Sequence, residues 1–250
     1  MDIVTKAKIN LFAVLRNIQD LCELDDVSKD IIKNEKTSVS FNVPDVGCAT
    51  LVFKDGKCTF EPDRSSAQLK LWFTSPDHFN KLVDGEKTIP IFINILKVGF
   101  LLSTFTKLAD RLSYFLKPTE ELLKDRKYFE INTILTAYTA FFAMCQIGNS
   151  DEIGKIVASK IADGEIACGI PDGLQVTITV KGGAMSARIG KSENPRAIMQ
   201  FADLDFAHDL LNGKTSSYKG LGEGKFLIKG KVSMLDQMSK LLNMVSHYLK

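Results

Sequence analysis

Asn42-Val43-Pro44-Asp45-Val46-Gly47 returns, in altered spelling, as Gly169-Ile170-Pro171-Asp172-Gly173. The stretch after each turn returns as well. Asp55-Gly56 and Gly182-Gly183 each read as a two-residue hairpin turn, because both central positions of that turn need positive φ. A strand then ends in Phe73 or Phe201, and a short helix closes on Gly85 or Gly213. The offset is 127 residues at the prolines and 128 at the phenylalanines and closing glycines. A repeat of this period means two whole domains, since solenoid units are far shorter.

Working outward, each copy predicts the same run of elements. The first opens with an amphipathic helix whose stripe is Val4, Ala7, Leu11, Leu15, Ile18 and Leu21. A second helical segment at Val27 to Ile32 has its partner at Ile153 to Ile161. Leu51 and Phe53 alternate on one strand face, Cys58 and Phe60 resume after the turn, and Leu69, Leu71 and Phe73 form another strand. Val176, Ile178 and Val180, then Met185, Ala187 and Ile189, then Ile198 to Phe201 repeat this as an antiparallel meander. Ser75 with Pro76 behind it caps the helix after the first meander, and Asp203 caps its counterpart. The last helices align at an offset of 133: Leu101, Phe105, Leu108, Ala109, Leu112 and Phe115 with Met234, Met238, Leu241, Leu242, Val245 and Tyr248. The surplus of the second copy falls around residues 218–224. The expected class is α+β.

Composition excludes several functions. A formal net charge of +2, with no Lys/Arg cluster among aromatics, gives no case for nucleic acid. Five scattered cysteines without a C-x-x-C pair argue against a zinc site and a disulfide framework, and fit a cytoplasmic protein. Lys6, Lys8, Arg16 and Asp20 interrupt any apolar signal region. Ile131 to Gly148 carries no charge and reaches spanning length, yet its large apolar residues fall at helical spacing among threonines. It is expected to be a buried or partner-facing helix, a candidate homodimer seam, with no stable membrane insertion.

Three stretches near the C-terminus carry a family resemblance. They are Ala197-Ile198-Met199-Gln200-Phe201, the helix Phe206-Ala207-His208-Asp209-Leu210-Leu211-Asn212-Gly213-Lys214, and Lys225-Phe226-Leu227-Ile228-Lys229-Gly230-Lys231, with a terminal helix after them from Met234 to Leu242. In this order they resemble a sterol carrier protein 2 domain. The first copy keeps Phe73 and Leu82-Val83-Asp84-Gly85 but departs at Ile95-Leu96-Lys97, where no Ile-Lys-Gly stands. The resemblance implies two tandem domains, residues 1–118 (divergent) and 119–250 (more typical), each a mainly antiparallel sheet covered by helices on one side. It also implies non-covalent binding of an apolar small molecule, such as a fatty acid, acyl-CoA or sterol-like lipid, in a hydrophobic tunnel. It implies no catalytic residues and no cofactor.

The candidate pocket in the second copy is Phe201, Phe206, Leu210, Leu211, Phe226, Ile228, Met234, Met238, Leu241, Leu242 and Val245. Flexible methionines suit an adaptable apolar site, whereas phenylalanine at the equivalent positions fills volume. Lys219 and Lys225 are the candidates for an anionic headgroup. The run Gly220-Leu221-Gly222-Glu223-Gly224 looks like a phosphate cradle, but it precedes a strand instead of opening a helix and is expected to be a flexible loop. His78, His208 and His247 lack a second ligand at helical spacing and are expected to be solvent-facing or capping, so no metal is predicted. No G-x-S-x-G elbow or other nucleophile arrangement is present. A scaffold protein or enzyme accessory subunit with closed cavities is the alternative reading.

Overall fold

A computed structural model describes residues 1–93 and 97–249. The chain divides into two compact units, Met1–Leu135 and Thr136–Lys250. In the first, α1 (Ile3–Ile9) runs through a π-helical stretch (Asn10–Val14) into α2 (Asn17–Leu24), and α3 (Asp26–Ile32) comes after it. Next come β1 (Thr37–Val43), β2 (Gly47–Lys54), β3 (Lys57–Pro62), β4 (Leu69–Trp72), α4 (Pro76–Val83) and β5 (Ile91–Ile93). Short α5 (Val98–Phe100) continues through a second π-helical stretch (Leu101–Phe105) into α6 (Thr106–Leu116). Ile95 and Leu96, where the family pattern is lost, lie outside the described residues.

Helix α7 (Arg126–Ser150) leads into the second unit, with α8 (Glu152–Ala158), β6 (Gly164–Gly169), β7 (Gln175–Lys181), β8 (Ala184–Ile189) and β9 (Ala197–Phe201) after it. Then come α9 (Leu204–Leu211), α10 (Ser217–Gly222), β10 (Phe226–Gly230) and α11 (Val232–Tyr248).

The two sheets have the same order, β3-β2-β1-β4-β5 and β8-β7-β6-β9-β10. Register makes the duplication explicit. Val39 pairs with Leu51 and Leu69, and Ile166 pairs with Ile178 and Ala197. The expected simple meander is corrected at one place in each copy. The strand ending in Phe73 or Phe201 crosses over to lie parallel to the first strand, in mid-sheet, while the other pairings are antiparallel. The crossover buries that strand's alternate residues, Leu69 and Leu71 or Ala197 and Met199, which an outer position would leave half wet.

Local chemistry fixes the elements as expected. Asp55 and Gly56 have φ of 52° and 72°, and Gly182 and Gly183 have 58° and 81°, the positive pair that a type I′ hairpin needs. Ser75 accepts from the His78 N–H and Asp203 from the Phe206 N–H, closing the first turn of α4 and of α9. Helix α4 docks on α1 and the π-helical stretch after it: Asn10 Nδ2 donates to Asn80 Oδ1 at 2.9 Å, and Asn80 Nδ2 donates to the Ile3 carbonyl. The first core gathers α1, α2, β1, β2, β4 and α6 around Phe41, Phe53, Leu69, Leu71, Phe79 and Leu108.

Helix α7 is long and apolar enough to cross a membrane by length and composition, yet 72% of its apolar window is buried in the fold. Every residue from 131 to 148 is buried or half-buried. All five cysteines are free thiols, and burial pushes the Cys145 thiol up to about 12.

Candidate functional site

The second unit's interior is built where α11 packs against β9. Met234, Met238, Leu241, Val245 and Tyr248 form the buried stripe of α11, and the first three are fully inaccessible. Across from them β9 turns Ala197, Met199 and Phe201 inward, all buried. Strand β10 pairs with β9, setting Phe226 opposite Phe201 and Ile228 opposite Met199. Phe201 and Phe226 stack at 5.7 Å, and Phe206 closes the cluster at 6.5 and 6.1 Å from them. The Asp203 cap aims Phe206, because its carboxylate takes that residue's backbone N–H at 2.7 Å. Of the eleven pocket residues expected from sequence, Phe201, Phe206, Phe226, Met234, Met238, Leu241 and Val245 are buried; Leu210, Leu211, Ile228 and Leu242 are half-buried.

The two copies fill this space differently. Phe105, the counterpart of Met238, lies 5.6 Å from Phe41 on the sheet, and Phe100 lies 5.1 Å from Phe53. Six of the seven methionines belong to the second unit and eleven of the sixteen phenylalanines to the first. One interior is packed with stiff rings; the other is lined by unbranched chains with three soft torsions each.

One expectation at the rim is corrected. The glycine-rich segment is helix α10, started by Ser216, whose Oγ accepts from the Lys219 N–H at 3.2 Å. Gly220 is needed there for packing, since a Cβ would sit 2.2 Å from the Phe206 ring. Gly220 therefore answers to Phe206 and Gly224, with φ of 69°, to the helix end, with no strand-to-helix cradle. Lys219 and Lys225 do come together, but around Glu223, at 3.8 and 3.4 Å. That carboxylate offsets part of their joint attraction for an anion.

His208 is also corrected: it is buried rather than solvent-facing, because α9 turns it inward beside Phe206 and Ala207. Burial, helped by Lys214, lowers its pKa and keeps the ring neutral at pH 7. His78 takes part in helix capping chemistry, its Nδ1 3.0 Å from the Thr74 hydroxyl, and His247 is exposed. Among the described residues no group of three or more His, Cys, Asp or Glu could hold a metal ion. Sequence reasoning misses one feature, a cavity in the first unit beside Trp72. Its signal is present, as the chain's single tryptophan stands at a strand end.

Fold and interior together define a duplicated α+β protein with two equivalent mixed sheets, one interior aromatic and one methionine-lined. Solved structures similar to this chain include sterol carrier protein 2 domains. The sterol carrier protein domain 2 of Helicoverpa armigera is 17% identical, covering 45% of this chain and 89% of its own, with a TM-score of 0.36. Palmitated SCP2L2 from Aedes aegypti is 17% identical, covering 47% and 96%, with a TM-score of 0.32. The stereoselective inverting sec-alkylsulfatase Pisa1 from a Pseudomonas species is 9% identical over 58% of this chain but 28% of its own, with a TM-score of 0.26. No family model matches the chain, and no curated protein matches it.

Proposed function

We propose that this protein binds an apolar small molecule of the fatty-acyl or sterol-like class non-covalently, in the interior of its second copy. The observation that carries this reading is the face of α11 opposite β9. Methionines stand there in one copy where the other has phenylalanine and leucine. Methionine side chains can rearrange around a guest at little cost, and each Å² of apolar guest removed from water contributes about 25 cal/mol. The carboxylate or phosphate end of such a guest would meet Lys219 and Lys225 at the rim. No bond is made or broken in this role, and the setting we propose for it is the cytoplasm. We propose the boundary between the duplicated segments at 118/119, in the connection between α6 and α7, so the binding copy is residues 119–250.

Full burial of Met234, Met238 and Leu241 favours one competing reading, a closed interior in a scaffold or accessory subunit. Met238→Trp separates the two. Filling the site should weaken binding of a fluorescent fatty-acyl probe at least tenfold while circular dichroism stays that of the wild type. Unchanged probe affinity in the folded variant removes the pocket assignment. Wild-type protein that takes up no probe, and yields no apolar molecule on organic extraction and native mass spectrometry, selects the scaffold.

A further inference from the structure

The first unit carries a separate open pocket of about 420 Å³ at the β1–β2 turn and the end of β4. Its walls include Asn42, Val43, Pro44, Cys48, Trp72 and Thr74. Register explains the grouping. Asn42 pairs with Cys48 on β2 and with Trp72 on β4, so all three project from one row of one face. Phe41 and Leu71, their chain neighbours, point into the core.

Two side chains there are set up for a guest. Trp72 is 45% exposed, an unusual position for the chain's one indole, whose large apolar face gains by being covered. Asn42 is only 7% exposed, and its Nδ2 is held by Ser40 Oγ at 3.1 Å and the Leu71 carbonyl at 3.2 Å. Those two bonds fix the amide, while Oδ1 accepts no hydrogen bond among the described residues. The oxygen itself keeps some exposed surface, so a donor entering the pocket can reach it. Cys48 adds an uncharged wall, since burial, with Asp63 nearby, raises its thiol pKa. The second copy has neither working group: Gly169 stands for Asn42 and Gln200 for Trp72, at the offsets of the repeat.

We propose that this cavity binds a flat aromatic small molecule bearing an N–H or O–H donor, its ring stacked on Trp72 and its donor bonded to Asn42 Oδ1. The volume suits two or three fused rings, and the pairing of one stacking wall with one fixed acceptor selects against aliphatic chains. This site belongs to the first unit, whereas the proposed lipid interior belongs to the second.

The probe is 2-naphthol, monitored in a ¹H–¹⁵N correlation spectrum in which Trp72 gives the only indole N–H signal. Saturable displacement of that signal is expected, with naphthalene, which lacks the donor, binding about tenfold more weakly. Trp72→Gln, the residue of the other copy, should weaken 2-naphthol binding at least tenfold as read on the Asn42 side-chain amide signal. An unmoved indole signal, equal affinity for naphthalene, or retained affinity in folded Trp72→Gln overturns the proposal. Should that variant fail to fold, the two-ligand comparison on the wild type still decides. Uptake into the second unit would leave the Trp72 signal in place, so failure here and failure of the lipid reading are distinguishable.

Discussion

The two copies share a strand order and the register of their inner strands, yet they spend their side chains differently. Asp25 and Asp151 are equivalent N-caps, of α3 and α8, taking the backbone N–H of Ser28 and of Gly154. Each is also tied to the C-terminal helix of its own copy, α6 or α11. In the first the tie is Arg111, bonded to both Asp25 oxygens at 3.0 and 2.7 Å; in the second it is the Tyr248 hydroxyl, 2.5 Å from Asp151. One tie is an ion pair and the other a hydrogen bond from an uncharged phenol, holding the same joint. The lesson is that topology is retained through the joints, while the interior between them is free to change from rings to methionines. Variants can therefore be aimed at one copy with the other as internal control.

Gly230→Ala is the harshest such variant. Gly230 has φ of 79°, and a Cβ there would lie 2.2 Å from the Arg196 carbonyl oxygen, which is backbone and cannot swing aside. Strain and clash together should destabilise the second unit by about 3 kcal/mol or more. Trp72 emission reports the first unit alone, and far-ultraviolet circular dichroism reports both. The expected result is a lowered transition by circular dichroism with the Trp72 transition unmoved. Coincident loss of both would break the treatment of the copies as separate cooperative units.

The paired ties come next. Arg111→Ala leaves the buried Asp25 carboxylate without its cation and should cost the first unit about 2 kcal/mol, whereas Tyr248→Phe should cost the second about 1 kcal/mol. The pH dependence distinguishes them further. Burial by itself would raise the Asp25 pKa, but hydrogen bonds from Arg111 and Ser28 and the Arg111 charge outweigh it and hold the group below its ordinary value of 3.8. A depressed carboxylate contributes stability above its unfolded pKa and loses it as pH falls through the folded one. The Arg111→Ala penalty, measured by denaturant midpoint, should therefore be full at pH 7 and shrink below about pH 4. A penalty that is flat across that range would mean packing, not charge, makes the joint.

Much of this fold is legible in the sequence because it is local. The Asp55-Gly56 and Gly182-Gly183 turns, the Ser75 and Asp203 caps, and the stripe Met234, Met238, Leu241, Val245 each depend on a few neighbouring residues. The crossover of β4 and β9 into mid-sheet is not legible, since strand order is settled by pairing across long separations that alternation cannot encode. Helix α10 is hidden because a glycine run reads as backbone freedom, whereas Gly220 answers to the Phe206 ring pressed against it. His208 and the Asn42–Trp72 cavity depend on which chain-distant surfaces meet, and single-residue spacing carries no trace of that.

The finest difference between the copies is a matched pair. On the register of the caps, Cys22 corresponds to Gly148 and Cys58 to Met185. Cys22 and Cys58 are both buried in the same core cluster. In the second copy the Met185 sulfur occupies the space a Cβ on Gly148 would need, 2.6 Å away. Two medium side chains in one unit have become one absent and one long in the other, at nearly constant volume. Cys58→Met should therefore overpack the first unit by about 1 kcal/mol or slightly more, and Cys22→Gly should open a small void of similar cost. Combined, they rebuild the arrangement of the second copy, and a double-mutant cycle on Trp72 emission should give a favourable coupling of about 1 kcal/mol. Strict additivity would mean the two sites accommodate change independently, and that the correspondence of Cys22 with Gly148 has no energetic content.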